Sequence, residues 1–198
     1  MPDSQPLLNG RKNLSTPSWP AFLYEFIKNP RQVGAVLPCS GAVAAAMRHA
    51  LEAPIASKAG SHADKHACSV VEFGPGTGRI TELLHPENLT LVETDQAFCQ
   101  LLQERYPQAT VLNVSAEDFL EQQRTPVSVV SSIPLLNNPH SSAIKNAIAL
   151  SYRAGIINKL VTYSYGPKSP FADCGFTQET KFKQVLRNIP PANIWVYA

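Results

Sequence analysis

The chain is predicted to be an α/β protein: a mostly parallel, seven-stranded sheet with one antiparallel strand, helices on both faces and an N-terminal helical extension. Three observations predict this. From Val70 onward, short apolar runs alternate with segments of helical periodicity, the pattern of parallel strands joined by crossover helices. The last two apolar runs, Lys183 to Asn188 and Asn193 to Tyr197, are separated only by Ile189-Pro190-Pro191-Ala192. With no room for a crossover, one of them has to run antiparallel. A length of 198 residues suits one domain with a sizeable core.

Taken in order, residues 1–16 are polar and turn-rich and read as a mobile arm. Ser18 can cap a short helix that tolerates Pro20 in its first turn. Trp19, Phe22, Leu23, Phe26 and Ile27 fall on one face of that helix, which Lys28-Asn29-Pro30 ends. Ser40 to Leu51 is alanine-rich and forms a second helix, and Pro54 to Cys68 reads as a loop. The reading therefore divides the chain into an extension over 1–53 and a domain over 54–198. In the domain, Val70 to Phe73 is the first strand, followed by a glycine turn and a helix through Leu84. Leu89 to Glu93 is a strand, Phe98 to Arg105 a helix, Thr110 to Asn113 a strand and Glu117 to Gln123 a short helix. Val127 to Ser131 and Ile156 to Tyr163 are buried-type strands flanking a helix over Ser142 to Tyr152.

Composition excludes several classes. Cys39, Cys68, Cys99 and Cys174 form no Cys-x-x-Cys pair and no zinc-like spacing with histidine, so no metal site is expected. No signal-like segment opens the chain, and no apolar run approaches the ~20 residues of a spanning helix. Reduced cysteines in a cytoplasmic protein follow. A net charge of only +2 argues against a strongly nucleic-acid-binding surface. The positive charge sits at the front, where Arg11, Lys12, Lys28, Arg31 and Arg48 outnumber Asp3 and Glu25.

The chemistry is expected at Glu72-Phe73-Gly74-Pro75-Gly76-Thr77-Gly78, where a strand hands over to a helix. Glycines there allow a tight turn and close approach to a ligand. The next strand ends in Glu93-Thr94-Asp95, and an acid at that tip is placed to bind a ribose diol. The alternative is that Glu93 and Asp95 cap the following helix. A dinucleotide site would carry G-x-G-x-x-G aimed at a pyrophosphate. Here an acid, Glu72, precedes the first glycine and can face the cationic methionyl end of S-adenosylmethionine. This combination resembles motif I of the class I, Rossmann-like methyltransferases. The resemblance implies that Glu72, Gly74, Pro75, Gly76, Thr77, Gly78, Glu93 and Thr94 hold the cofactor. It also implies an adenine contact from Ser115, Ala116 and Glu117, although Ser115 stands where such enzymes often have an acid.

Over Phe22 to Tyr197 the chain also resembles the bacterial phospholipid N-methyltransferases. The resemblance rests on Asn29 to Ser40, on Ser131-Ser132-Ile133-Pro134-Leu135-Leu136, on Tyr163 to Pro170 and on Asn188 to Trp195. The segment after the fourth strand lacks the Asn/Asp-Pro-Pro-aromatic motif of enzymes that methylate adenine amines. The resemblance implies an amine of phosphatidylethanolamine or a related lipid as acceptor and an anionic membrane surface as partner. It further implies a cytoplasmic enzyme held peripherally on the inner face of the membrane, while the low net charge and the missing motif lead to an expectation of no specific nucleic acid. By residues alone, the Trp19–Lys28 face could equally pack on the sheet; the resemblance favours the membrane. An alkyl ammonium with a pKa near ~10 must lose a proton before it can accept a methyl group, which a site of low polarity with hydrogen-bond acceptors favours. The Ser131–Ile133 carbonyls and the hydroxyls of Tyr24 and Tyr165 are the expected acceptors, with Ser131 also lying against the cofactor. Lys28, Arg31 and Lys168 are the expected phosphate ligands. The alternatives are transfer to a soluble small molecule, a protein or an RNA amine, or a module that binds the cofactor without catalysis.

Overall fold

The computed structural model describes residues 39–54, 69–84, 87–135, 138–188 and 190–198. The Trp19–Lys28 helix and the site candidates Tyr24, Lys28 and Arg31 lie outside them, as does the loop over 55–68.

Seven strands form one sheet in the order β3-β2-β1-β4-β5-β7-β6. They are β1 (Ser69–Phe73), β2 (Leu89–Val92), β3 (Thr110–Leu112), β4 (Val127–Ser131), β5 (Ile157–Ser164), β6 (Glu179–Val185) and β7 (Ala192–Tyr197). All neighbours from β3 to β5 pair in parallel, whereas β7 runs antiparallel to both β5 and β6. The helices are α1 (Gly41–Glu52), α2 (Gln96–Arg105), α3 (Ala116–Gln122) and α4 (Ser141–Arg153).

Strand side chains alternate between faces, and each face buries its own cluster. Leu91, Val130, Val161 and Ile194 meet α1 residues Val43, Met47 and Ala50 and α2 residue Leu102 on one face. Phe73, Val129, Leu160 and Trp195 meet Leu120 of α3 and Ile144 and Ile148 of α4 on the other. Between β5 and β6 the chain makes turns rather than a helix, and Phe171 and Cys174 fill the second face there.

Local chemistry sets the helix ends. Ser40 Oγ accepts from Val43 N to start α1, Asp95 Oδ1 accepts from Ala97 N and Phe98 N to start α2, and Ser115 Oγ accepts from Asp118 N to start α3. Helix α4 stops before Gly155, whose φ of +74° no helix continues.

Three expectations are corrected. Helix α1, assigned above to an extension ending at residue 53, belongs to the compact unit Pro38–Ala198 and contributes to its core. After the glycine turn only a 3-10 turn forms, Thr81–Leu83, in place of a full helix. Gly78 takes φ +81°, so a helix could begin only beyond it, and Pro86 disfavours continuing past residue 84. Strand β6 begins at Glu179 rather than Lys183, because six of its seven residues are exposed and no apolar alternation marks its start.

Candidate functional site

The C-terminal ends of β1, β2 and β4 meet at the glycine turn. Gly74, Gly76 and Gly78 all take positive φ. At Gly76, φ is +55° and a Cβ would meet nothing within 4 Å, so the turn leaves open space at that point. At Gly78 the requirement is the opposite: a Cβ would lie 2.8 Å from the Tyr106 ring. That ring belongs to the C-cap of α2, and its hydroxyl donates to Gly78 O at 3.0 Å. Arg105 Nη1 donates to Thr77 O at 2.7 Å. The end of α2 thus braces the turn from outside.

Glu72 projects from β1 on the α1 face and is fully buried. Its Oε2 accepts from Thr81 Oγ1 at 2.6 Å, while Oε1 has no partner among the described residues. Burial pushes the carboxyl up to about 8, with the charge of Glu93 adding and the Thr81 bond opposing. Cys39, just before α1, is raised to about 11, first by burial and then by the charge of Glu72. A buried acid with one bare oxygen calls for a cationic or N–H-bearing ligand.

Glu93, at the tip of β2, uses both carboxylate oxygens on backbone: Oε2 accepts from Gly76 N and Oε1 from Asp95 N, each at 3.0 Å. It ties the glycine turn to β2, and each oxygen keeps a second acceptor position. Asn113 Nδ2 donates to Glu93 O and Thr94 O, both at 2.9 Å, fixing the same tip. Asp95 takes the capping role named above as the alternative. Ser115 is committed elsewhere: its hydroxyl accepts from Asp118 N and donates to Asp118 Oδ2 at 2.8 Å. An adenine contact there would have to come from backbone or from Ala116 and Glu117.

Beyond β4, Ser132 N donates to Phe73 O at 2.9 Å, and Ile133 packs against Gly74. Ser131 is buried and its carbonyl accepts from Thr162 Oγ1 at 3.0 Å. Tyr165 is half-buried in an edge contact with Tyr163, and burial raises its hydroxyl. Lys168 is exposed on the turn after β5. The structure therefore groups Glu72, the glycines, Glu93 and Ser131 about one end of the sheet. Sequence reasoning missed Thr81, Tyr106, Arg105 and Asn113. None belongs to a motif, and only the fold brings them to the turn.

An open sheet ordered this way, with a glycine turn after β1 and an acid at the tip of β2, is the fold of the class I, Rossmann-like methyltransferases. A TehB-like S-adenosylmethionine-dependent methyltransferase from Corynebacterium glutamicum shares the fold, with a TM-score of 0.53 and 12% identity over 90% of this chain and 98% of that one. Residues 55–163, just over half of the chain, match the family described as ribosomal RNA adenine dimethylase, and the chain belongs to that family. A curated relative, the ribosomal RNA small subunit methyltransferase A of Hydrogenobaculum sp. (strain Y04AAS1), is 32% identical over 83 residues. That match covers 40% of this chain and 32% of the relative, so the chain spans about a third of the relative's length.

These findings correct the partner expectations. Family and relative are both described by ribosomal RNA, which overturns a phospholipid acceptor, an anionic membrane surface and the absence of a specific nucleic acid. Low net charge misled because it averages over the whole surface. Among the described residues, no helix is long and apolar enough to cross a membrane.

Proposed function

We propose that the chain transfers a methyl group from S-adenosylmethionine to an amine nitrogen of an RNA. The observation that carries this reading is the family match over residues 55–163, which spans the glycine turn and the tip of β4 together. When bound, the cofactor supplies a methyl group already activated on a sulfonium. Glu72 would hold its cationic end through the bare Oε1, Gly74 to Gly78 would admit it closely, and Glu93 and Thr94 would take the ribose. Ala116, Glu117 and the backbone at Ser115 would flank the base, with Ser131 beneath. The chief task left to the chain is alignment, which can be worth ~7–11 kcal/mol. An exocyclic base amine is neutral at pH 7, so it needs N–H acceptors rather than a base. The Ser132 and Ile133 carbonyls, beyond the end of β4, and the Tyr165 hydroxyl would supply them. Because Ser131-Ser132-Ile133-Pro134 does not match the Asn/Asp-Pro-Pro-aromatic motif, the reading stops at an RNA amine and does not extend to adenine.

The test is radiolabelled transfer from S-adenosylmethionine, offered in parallel to unmodified ribosomal RNA, to vesicles containing phosphatidylethanolamine, and to a pool of soluble amines. Label in RNA is expected. Label confined to lipid or to soluble amines overturns the RNA reading, and label nowhere overturns the enzyme. Gly76→Val, which fills the open space at the turn, should abolish both transfer and cofactor binding by calorimetry. Unchanged affinity would refute the site assignment.

A further inference from the structure

Among the described residues, strand β6 is the last strand of the sheet, and its residues Glu179 to Gln184 are exposed. An edge strand usually carries lysines to prevent pairing with another chain, and Lys181 and Lys183 could serve that end alone. Other features do not fit that account. Phe182, between the two lysines, is 38% exposed, and Leu186, just past the strand, is 71% exposed. They are two of the three exposed large apolar side chains among the described residues. A blunted edge has no use for them. The pairing register shifts between Lys181 and Lys183, so Phe182 is the extra residue of a bulge and the lysines stand opposite Trp195 and Ile194. Arg187 adds a third cation. Among the described residues the ion pairs are Arg48–Glu52 and Arg79–Glu82, so these three cations have no acidic partner. Against them residues 179–187 contain one acid, Glu179, so this stretch alone has a net charge of +2, equal to that of the whole chain.

Topology aims the edge at the site. β7 is antiparallel to both β5 and β6, so β6 runs in the same direction as β1, β4 and β5. Its C-terminal end therefore lies on the same side of the sheet as the glycine turn. Val185 sits opposite Ala192, and the turn beyond is pinned to the start of α1: Asn188 Oδ1 accepts from Ser40 N at 3.1 Å, while Nδ2 donates to Pro190 O at 2.6 Å. Arg187 is thus next to an anchored residue. Three strand spacings separate β6 from β4, about 14 Å, the reach of about four nucleotides at roughly 3.4 Å each.

From this arrangement we infer that the β6 edge, with Lys181, Phe182, Lys183, Leu186 and Arg187, is a docking surface for single-stranded RNA flanking the methylated nucleotide. The cations meet phosphates, and Phe182 offers a face on which a base stacks. This rests on the RNA reading above and adds to it where the strand is held.

The test compares the full chain with a K181Q/K183Q/R187Q variant and, separately, with Phe182→Ser. A labelled single-stranded RNA oligomer is titrated at several salt concentrations, and cofactor binding is followed by calorimetry. The triple variant should lose at least tenfold in RNA affinity, and its log–log salt slope should flatten by about 2, since each phosphate contact on a single strand contributes about 0.7. Phe182→Ser should weaken RNA without changing the slope. Cofactor affinity should stay the same in both, which also shows that they fold. RNA binding and transfer equal to wild type in both variants would overturn the edge assignment while leaving the RNA reading intact. RNA bound through this edge with no methyl transferred would leave the edge standing and refute the reading. Loss in the triple variant of binding to phosphatidylglycerol vesicles, with no RNA bound by wild type, would overturn the RNA assignment in favour of a membrane.

Discussion

At the scale of single residues, Glu72 combines full burial, one bonded oxygen and one bare oxygen. Its folded pKa of about 8 lies above the ordinary 4.5, so between those values the folded protein holds a proton that the unfolded chain has released. Cofactor-free stability should therefore fall as pH rises from about 4.5 to about 8, by on the order of a few kcal/mol. Glu72→Gln should flatten that slope in denaturant unfolding; an unchanged slope would remove Glu72 as its source. Cofactor binding should respond in the opposite direction. A cation held by Glu72 favours the carboxylate, so wild-type affinity should rise up to tenfold per pH unit toward about 8, while the glutamine variant should bind weakly at every pH. The role of Glu72 could be read from its place before three glycines. That both oxygens of Glu93 would be taken by Gly76 N and Asp95 N could not, because those bonds need the turn already folded.

At the scale of elements, α1 is closed from outside its own segment. Lys159 of β5 is buried and donates from Nζ to Leu51 O at 2.7 Å and to Ala53 O at 2.6 Å, the carbonyls that end the helix. Burial lowers its pKa, and the two bonds are what it gains in return for leaving water. Lys159→Met keeps the apolar stem but leaves both carbonyls bare. A loss of about 1–3 kcal/mol is expected in chemical denaturation; a neutral substitution would mean that water replaces the ammonium. The helix itself was legible from Ser40 and the alanine-rich run, because capping and propensity are local. Its lysine comes from over a hundred residues away, a pairing that no local signal carries. The missing helix after Gly78 is a similar case, since apolar spacing at Ile80, Leu83 and Leu84 satisfies a helical pattern that three left-handed glycines overrule.

At the scale of the whole molecule, Pro38–Ala198 forms a compact unit by itself, and its described residues build two buried clusters. A chain begun at Pro38 should accordingly unfold in one cooperative transition, as followed by circular dichroism, and should still bind S-adenosylmethionine. A broad or absent transition would show that the unit needs residues 1–37. The sequence by itself determined the α/β class, the antiparallel last strand, the glycine turn and the acids at its two sides. Each of these is written in local periodicity or in the residue types and spacing of the turn, where a positive φ favours glycine. The tertiary structure alone decided that α1 belongs to the core and, among the described residues, which oxygens at the site are taken and which are bare, and that β6 ends the sheet with cations that have no acidic partner. Those are properties of what lies beside a residue in space, and parallel sheets bring together segments that are remote along the chain.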